Sequence, residues 1–140
     1  MRRRAALTGL YLGVTSPAHA WIPRPACTSM IVLFRFGSTE YNNPDKQRFP
    51  SMAYEIRTNY FGPIKIVGHT AKNESGGMAL SLARAEAVRD QLIASGIFSA
   101  QITSVEGVAD RQPWLKDDEP NAEDVRRRVE IFLKRDDTAC

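Results

Sequence analysis

Few side chains in this sequence could do chemistry, and they do not form a catalytic set. His69 is the only histidine beyond the first twenty residues, so a Ser-His-Asp or Cys-His site would depend on it alone. A multi-histidine metal site is excluded for the same reason. The Gly76-Gly77 pair is not followed by the Lys-Ser/Thr of a phosphate-binding loop. We therefore predict a non-catalytic protein without metal or cofactor, in which His69 is a neutral imidazole hydrogen-bonded to backbone.

The start of the chain has the pattern of a removable export signal. Arg2–Arg4 precede an apolar stretch from Ala5 to Val14, and Ala18-His19-Ala20 offers a small-x-small cleavage site. The alternative, an N-terminal helix of the folded domain, is disfavoured by Pro17 and the clustered arginines. The apolar stretch is also shorter than the ~20 residues that a membrane span requires. We predict a signal peptide over residues 1–20, a periplasmic location and no direct membrane insertion.

Removal of this leader changes the charge of the protein. The leader holds three of the 19 Lys and Arg residues and none of the 16 Asp and Glu residues, so 16 of each remain. A formal net charge of zero gives no support for nucleic-acid binding. The remaining 120 of the 140 residues suffice for one domain, which we place at 21–140.

Two cysteines, Cys27 and Cys140, lie at opposite ends of the exported chain. In an oxidising compartment they form a plausible disulfide, whose loop of about 113 residues gives about 5 kcal/mol of stabilisation in the chain-entropy model. Two free thiols, or a Cys140 that pairs with another chain, are the alternatives. We favour the intramolecular bridge, provided that the fold brings the two ends together.

Hydrophobic periodicity gives the order strand, helix, strand, helix, strand, strand. The polar segment 42–50, with its two prolines, is expected to precede the first helix, and residues 109–124 are expected to form a polar loop. An α/β fold follows, a two-layer sandwich with two helices on one face of a four-stranded sheet. The predicted strands are Met30–Phe36, Ile64–Val67, Ile102–Val108 and Arg127–Leu133, and the predicted helices are Met52–Tyr60 and Met78–Ser95.

The second helix shows the clearest pattern. Leu82, Ala85, Val88 and Leu92 are spaced as an inward apolar stripe, and Gly96 is placed to end the helix. In the last strand, the alternation predicts that Val129, Ile131 and Leu133 face the core. The opposite, wetter face would carry Lys65, Arg128, Glu130 and Lys134.

Five short segments together resemble the OmpA-like domain, the peptidoglycan-associating module of OmpA, Pal and MotB. Each segment is weak alone, but the five occur in the right order and on the right elements over about 100 residues. The resemblance implies a mixed sheet with the first and last strands adjacent and antiparallel, which would bring Cys27 close to Cys140. The matching segments are Phe34–Ser38, Val67–Thr70, Leu80–Ala85, Gly107–Pro113 and Arg127–Ile131.

The resemblance also implies a ligand, the diaminopimelate of the peptidoglycan stem peptide. Its free end carries an ammonium and a carboxylate, which an acid and an arginine can recognise. By its place in the Leu-Ser-x-x-Arg-Ala motif, Arg84 resembles that arginine, and it is expected on the flank of the stripe within reach of a groove. The matching segments imply binding roles for Thr70, Phe36, Leu80 and Arg128 as well.

The acid of that pair is missing. In the family an aspartate directly follows Gly-His-Thr, whereas this chain has Ala71 there, and the loop before Arg84 looks about two residues shorter than usual. Losing one partner of a desolvated charged pair costs about 2–5 kcal/mol. Glu74, as a substitute acid, or Asn73 is a candidate to bind the ammonium instead, and we predict that the domain binds peptidoglycan, in an ordinary or in a weakened or altered form. In the alternative, the fold has lost this ligand and serves as a protein–protein interaction module of the cell envelope.

Overall fold

The computed structural model describes residues 27–113 and 116–134, which contain four strands and three α-helices. The predicted signal peptide and Cys140 lie outside these residues. The elements are β1 (Cys27–Leu33), α1 (Asn43–Asn59), β2 (Ile64–Gly68), α2 (Gly77–Ala94), β3 (Ile102–Gly107), α3 (Ala122–Arg126) and β4 (Arg128–Lys134).

The four strands form one mixed sheet in the order β1-β4-β2-β3. β4 is antiparallel to both of its neighbours, and β2 is parallel to β3. A single apolar core joins α1 and α2 to the same face of the sheet, with Ile56 and Val88 among its helical members and Ile66 and Ile131 among its strand members. The predicted α/β two-layer architecture and the adjacency of the first and last strands are confirmed.

The prediction for α1 was wrong at its start, since the helix begins at Asn43 rather than near Met52. The Asn42 side chain caps the helix, accepting a hydrogen bond of 3.0 Å from the backbone N–H of Asp45. Pro44 lies in the first turn, where a missing N–H breaks no helical bond. Pro50 lies inside the helix without ending it.

Helix α2 and its end were predicted correctly. Gly96 has φ +98, and the N–H of Ile97 donates to the carbonyl of Leu92 at 3.1 Å, which closes the last turn. The predicted stripe was wrong at Leu82, which is 38% exposed. Ser81 and Arg84 are buried instead.

The close approach of α2 to the sheet explains this difference. A Cβ placed on Gly68 would lie 1.8 Å from the carbonyl oxygen of Ser81, and one on Gly107 would lie 2.4 Å from the N–H nitrogen of Leu82. The backbones of helix and strands are therefore nearly in contact here. Only a small side chain fits between them, so the serine faces the sheet.

Strand β4 alternates as predicted, with Val129, Ile131 and Leu133 in the core. Arg128, expected on the wetter face, is buried, and its Nη2 donates at 2.9 Å to the carbonyl of Gln112 in the loop after β3. The predicted polar loop from Ala109 to Asp124 also contains the start of the short helix α3. No helix in the described ranges is long and apolar enough to span a bilayer.

Candidate functional site

Arg84, on the second turn of α2, is the centre of the site and has no exposed surface. Its Nε donates to the carbonyl of Ser38 at 2.9 Å, and its Nη1 and Nη2 donate to the carbonyls of His69 and Arg35 at 3.1 and 3.2 Å. Both terminal nitrogens also donate to the Glu74 carboxylate. An arginine has five N–H groups, so every donor of Arg84 has a partner within the chain.

The carboxylate of Glu74 is engaged just as fully. Besides the two bonds from Arg84, it accepts from the backbone N–H of Gly37 at 2.7 Å and from that of Ala71 at 2.8 Å. Burial alone would raise the pKa of the Glu74 carboxyl, but these hydrogen bonds outweigh burial and hold its pKa below the ordinary value. The side chain is therefore an ionised carboxylate with no exposed surface.

A tight turn after β2 delivers Glu74 to this position. The N–H of Glu74 donates to the carbonyl of Ala71 at 3.2 Å, and this turn directs the glutamate side chain back towards Arg84. Gly76 and Gly77 then adopt φ +106 and +40 as the chain enters α2. The pair thus connects three segments, namely the β1–α1 loop, the β2–α2 loop and α2 itself.

The structure brings only some of the predicted binding residues together. Ala71, where the family resemblance predicts an aspartate, is buried beside the Glu74 carboxylate. Thr70 is buried as well, and its N–H donates to the carbonyl of Ala109 at 3.0 Å. Leu80 is partly buried near the start of α2. Its Cβ lies close to Gly76, at 3.1 Å from the position that a Cβ on that glycine would occupy.

Two other predicted binding residues have different partners. Phe36 is 58% exposed, and the guanidinium of Arg127 lies 5.9 Å from the centre of its ring. Arg128 is buried and its Nε donates to Glu130 at 2.6 Å. The expectation that Arg84 lies on the flank of the helix stripe, facing a groove, was wrong, because the three carbonyls and Glu74 enclose its guanidinium.

His69 is buried, and its ring does not make the predicted hydrogen bond to backbone within the described chain. Its Nε2 lies 3.4 Å from a carboxylate oxygen of Glu130. Burial, and then the positive charge of Arg128, lowers the pKa of His69 to about 3, so the ring is neutral near pH 7. The backbone carbonyl of His69, rather than its ring, contributes to the site.

The sequence reasoning missed a second charged cluster, between the β2–α2 loop and α3. Arg126 is buried and pairs with Asp117 and with Glu123, the latter at 2.7 Å. Lys72 contacts the same two acids, through its Nζ to Asp117 at 2.6 Å and through its N–H to Glu123 at 3.1 Å. Hydrogen bonds from Lys72 and then from Arg126 hold the pKa of the Asp117 carboxyl below its ordinary value. The high density of charged residues between positions 116 and 128 was the sequence signal that could have indicated this cluster.

A comparison with sequence families shows what kind of domain this is. The sequence profile of the OmpA family matches residues 33–128, which include the Arg84–Glu74 pair and five of the seven elements in full. The chain belongs to the OmpA family. No curated protein sequence matches the chain.

Solved structures of OmpA-like domains share its fold. The cell wall anchor of the T6SS from Pseudomonas aeruginosa has 22% identity and a TM-score of 0.66, covering 79% of this chain and 82% of that one. The peptidoglycan-associated lipoprotein from Burkholderia pseudomallei has 23% identity and a TM-score of 0.63, covering 73% and 88%. The periplasmic domain of Helicobacter pylori MotB has 22% identity and a TM-score of 0.64, covering 76% and 79%.

Proposed function

We propose that this OmpA-like domain is a non-catalytic part of the cell envelope in which an internal ion pair replaces diaminopimelate recognition. The observation that carries the proposal is the complete use of Arg84, whose five N–H groups all have acceptors within the chain. Of the two functions that the sequence left open, the geometry supports the protein–protein interaction module of the envelope.

Neither half of a zwitterionic ligand has a free partner in this site. A ligand carboxylate would have to displace Glu74 from two arginine N–H groups and two backbone N–H groups. The ligand ammonium lacks an acid, because position 71 is alanine and both oxygens of Glu74 face other donors. A tethered carboxylate also has a higher effective concentration than a free one, which disfavours exchange.

The same pair has a structural role that suits an interaction module. It fixes the β1–α1 and β2–α2 loops against α2 with charge-assisted hydrogen bonds in a buried setting. Rigid loops lower the conformational entropy that a protein loses on binding a partner. We propose that the domain operates in the periplasm and that its partners include envelope proteins.

Co-sedimentation with purified peptidoglycan tests this proposal. We expect the wild-type protein to stay in the supernatant. The double variant Ala71→Asp/Glu74→Ala frees the Arg84 guanidinium and restores an acid at the family position, so it should pellet. The matched control, Ala71→Asn/Glu74→Ala, has nearly the same shape without the charge and should remain soluble.

Wild-type protein that pellets with peptidoglycan would contradict the proposal directly. Adding Arg84→Gln to the double variant should abolish any gained binding, because glutamine cannot grip a carboxylate with two parallel N–H groups. Thermal unfolding of each variant establishes that the domain is folded in the assay. Failure of the double variant to bind although folded would show that more than this pair separates the site from a peptidoglycan binder.

A further inference from the structure

An open groove of about 500 Å³ lies between the first half of α1, the middle of α2 and the loop from Arg35 to Tyr41. We call it the helix groove. Its floor is aromatic, since the ring of Tyr41 stacks on Phe49 with centroids 5.3 Å apart and meets Phe34 edge-on at 5.2 Å. Its size is within the range typical of ligand sites.

Charged and polar groups surround this apolar floor. The ammonium of Lys46 makes no ion pair among the described residues, and Arg35 makes only an exposed one, with Glu40 at 3.4 Å. Burial, and then the charge of Asp90, raises the pKa of Tyr41 to about 12, so its hydroxyl stays a neutral donor. Two cations, Lys46 and Arg35, and one carboxylate, Glu40, line the groove, so it combines apolar contact area with one net positive charge.

Pro50 leaves one backbone carbonyl in the first half of α1 without its usual helical donor. Because proline has no N–H, the carbonyl of Lys46, four residues earlier, lacks its normal helical donor. Both residues line the groove. A peptide lying there could donate a backbone N–H to this carbonyl, while a carboxylate of the same peptide approaches Lys46 Nζ.

We propose that the helix groove binds an acidic peptide segment of a partner protein, one with a carboxylate side chain next to an apolar residue. The inference rests on the proposed function in that it supplies a surface for the interaction module. Charge complementarity selects the carboxylate, through Lys46 and Arg35, and the Tyr41–Phe49 floor selects the apolar neighbour. The groove is distinct from the Arg84–Glu74 pair, although Arg35 contributes its carbonyl to that pair and its side chain to the groove.

Selection from a phage-displayed library of linear peptides, with the purified protein as bait, tests this inference. Selected peptides should share an Asp or Glu beside an apolar residue. Each is then synthesised together with a twin in which Asn or Gln replaces the acid. Titration followed by amide NMR should show shifts at residues 39–50 and 87–91, and the twin should bind at least tenfold more weakly.

Two groove variants and one control sharpen the result. Lys46→Glu should weaken peptide binding at least tenfold, whereas Lys116→Glu, the same charge change at an exposed lysine that does not line the groove, should leave it unchanged. Pro50→Ala supplies the helical N–H that the Lys46 carbonyl lacks, and it should weaken binding severalfold while raising the thermal stability.

Several results would overturn the inference. These are an absence of selected peptides, selected peptides without a shared acid, amide shifts elsewhere on the domain, or equal effects of Lys46→Glu and Lys116→Glu. A dimer detected by light scattering and dissociated by Lys46→Glu would assign the groove to a second copy of the chain. None of these results depends on sedimentation with peptidoglycan, so the two proposals can fail separately.

Discussion

Arg84 and Glu74 form a buried ion pair in which every donor and both carboxylate oxygens are engaged within the chain. Four donors, two from Arg84 and the backbone N–H groups of Gly37 and Ala71, converge on one carboxylate. This arrangement is a receptor for a carboxylate, and the chain's own glutamate occupies it. The charge is buried and paired, so removing one partner is expected to cost far more than removing a surface ion pair.

The first prediction concerns Glu74→Ala. This variant leaves the Arg84 guanidinium buried without its anion, and it should lower the free energy of unfolding by about 3–5 kcal/mol. Free acetate, entering the vacated position, should restore part of that loss. Thermal unfolding in sodium acetate and in sodium chloride at equal ionic strength and pH 7 measures the difference. Equal melting temperatures in the two salts would rule out the carboxylate receptor.

The second prediction uses the buried neutral His69. Its pKa is about 3 in the folded protein against an ordinary 6.5, so the unfolded chain takes up the proton first as the pH falls. Stability should therefore fall by about 1.5 kcal/mol between pH 6.5 and 5 and continue to fall towards pH 3. Urea unfolding across this window measures the loss, and His69→Gln should remove it.

Glu74 should change the stability of the protein at lower pH than His69 does, so the two contributions can be distinguished. Because the pKa of its carboxyl is lowered on folding, its stabilisation is complete above the unfolded value of 4.5 and is lost as the pH falls below it. A pH profile of His69→Gln that still falls steeply between pH 6.5 and 5 would contradict the assignment of that window to His69.

At the scale of elements, the contact between α2 and the sheet decides where side chains can point. Ser81 faces the glycines at the ends of β2 and β3, and its Oγ accepts from the N–H of Ala109 at 3.0 Å. This direct backbone approach turns α2 so that Arg84 is buried and Leu82 is exposed. The position of the site is therefore a consequence of two residues that lack side chains.

The third prediction tests this contact with Gly68→Ala. The added Cβ would lie 1.8 Å from a backbone oxygen of α2, so the helix must move, at a cost of about 3 kcal/mol or more in unfolding free energy. Gly77→Ala is the matched control, because no atom lies within 4 Å and only its φ of +40 is strained, at about 1 kcal/mol. Urea midpoints compare the two, and similar losses would contradict the packing argument.

At the scale of the whole molecule, the sheet places the two ends of the described chain together. Cys27 is opposite Lys134 in the antiparallel register of β1 and β4. Cys140 lies six residues after Lys134 in the sequence. An extended chain of that length reaches about 20 Å, so the backbone permits a return to Cys27.

The fourth prediction is the disulfide between Cys27 and Cys140. Protein isolated from the periplasm should gain about 2 Da on reduction, and its melting temperature should fall because the closed loop restricts the unfolded chain. Cys140→Ser, which leaves a single thiol, should show neither change. Two free thiols in the isolated wild-type protein would contradict the predicted disulfide.

The sequence alone determined the fold class, because period-two strands and the stripe of α2 reflect local backbone geometry. It also pointed to Arg84, through a motif, and to Glu74, through the aspartate that the family resemblance predicts at position 71. Local sequence patterns do not predict features that depend on residues distant in the sequence. The start of α1 depended on the Asn42 cap, although that signal was present in the sequence.

Only the tertiary structure decided that Glu74 pairs with Arg84 rather than with a ligand. The deciding groups include the carbonyls of Arg35 and Ser38 and the N–H of Gly37, which every residue type possesses and no sequence pattern can report. They meet Arg84 because the β1–α1 loop, the β2–α2 loop and α2 converge at one point. The sequence thus indicated the two charged residues. The packing of the three segments determined that they pair with each other inside the domain.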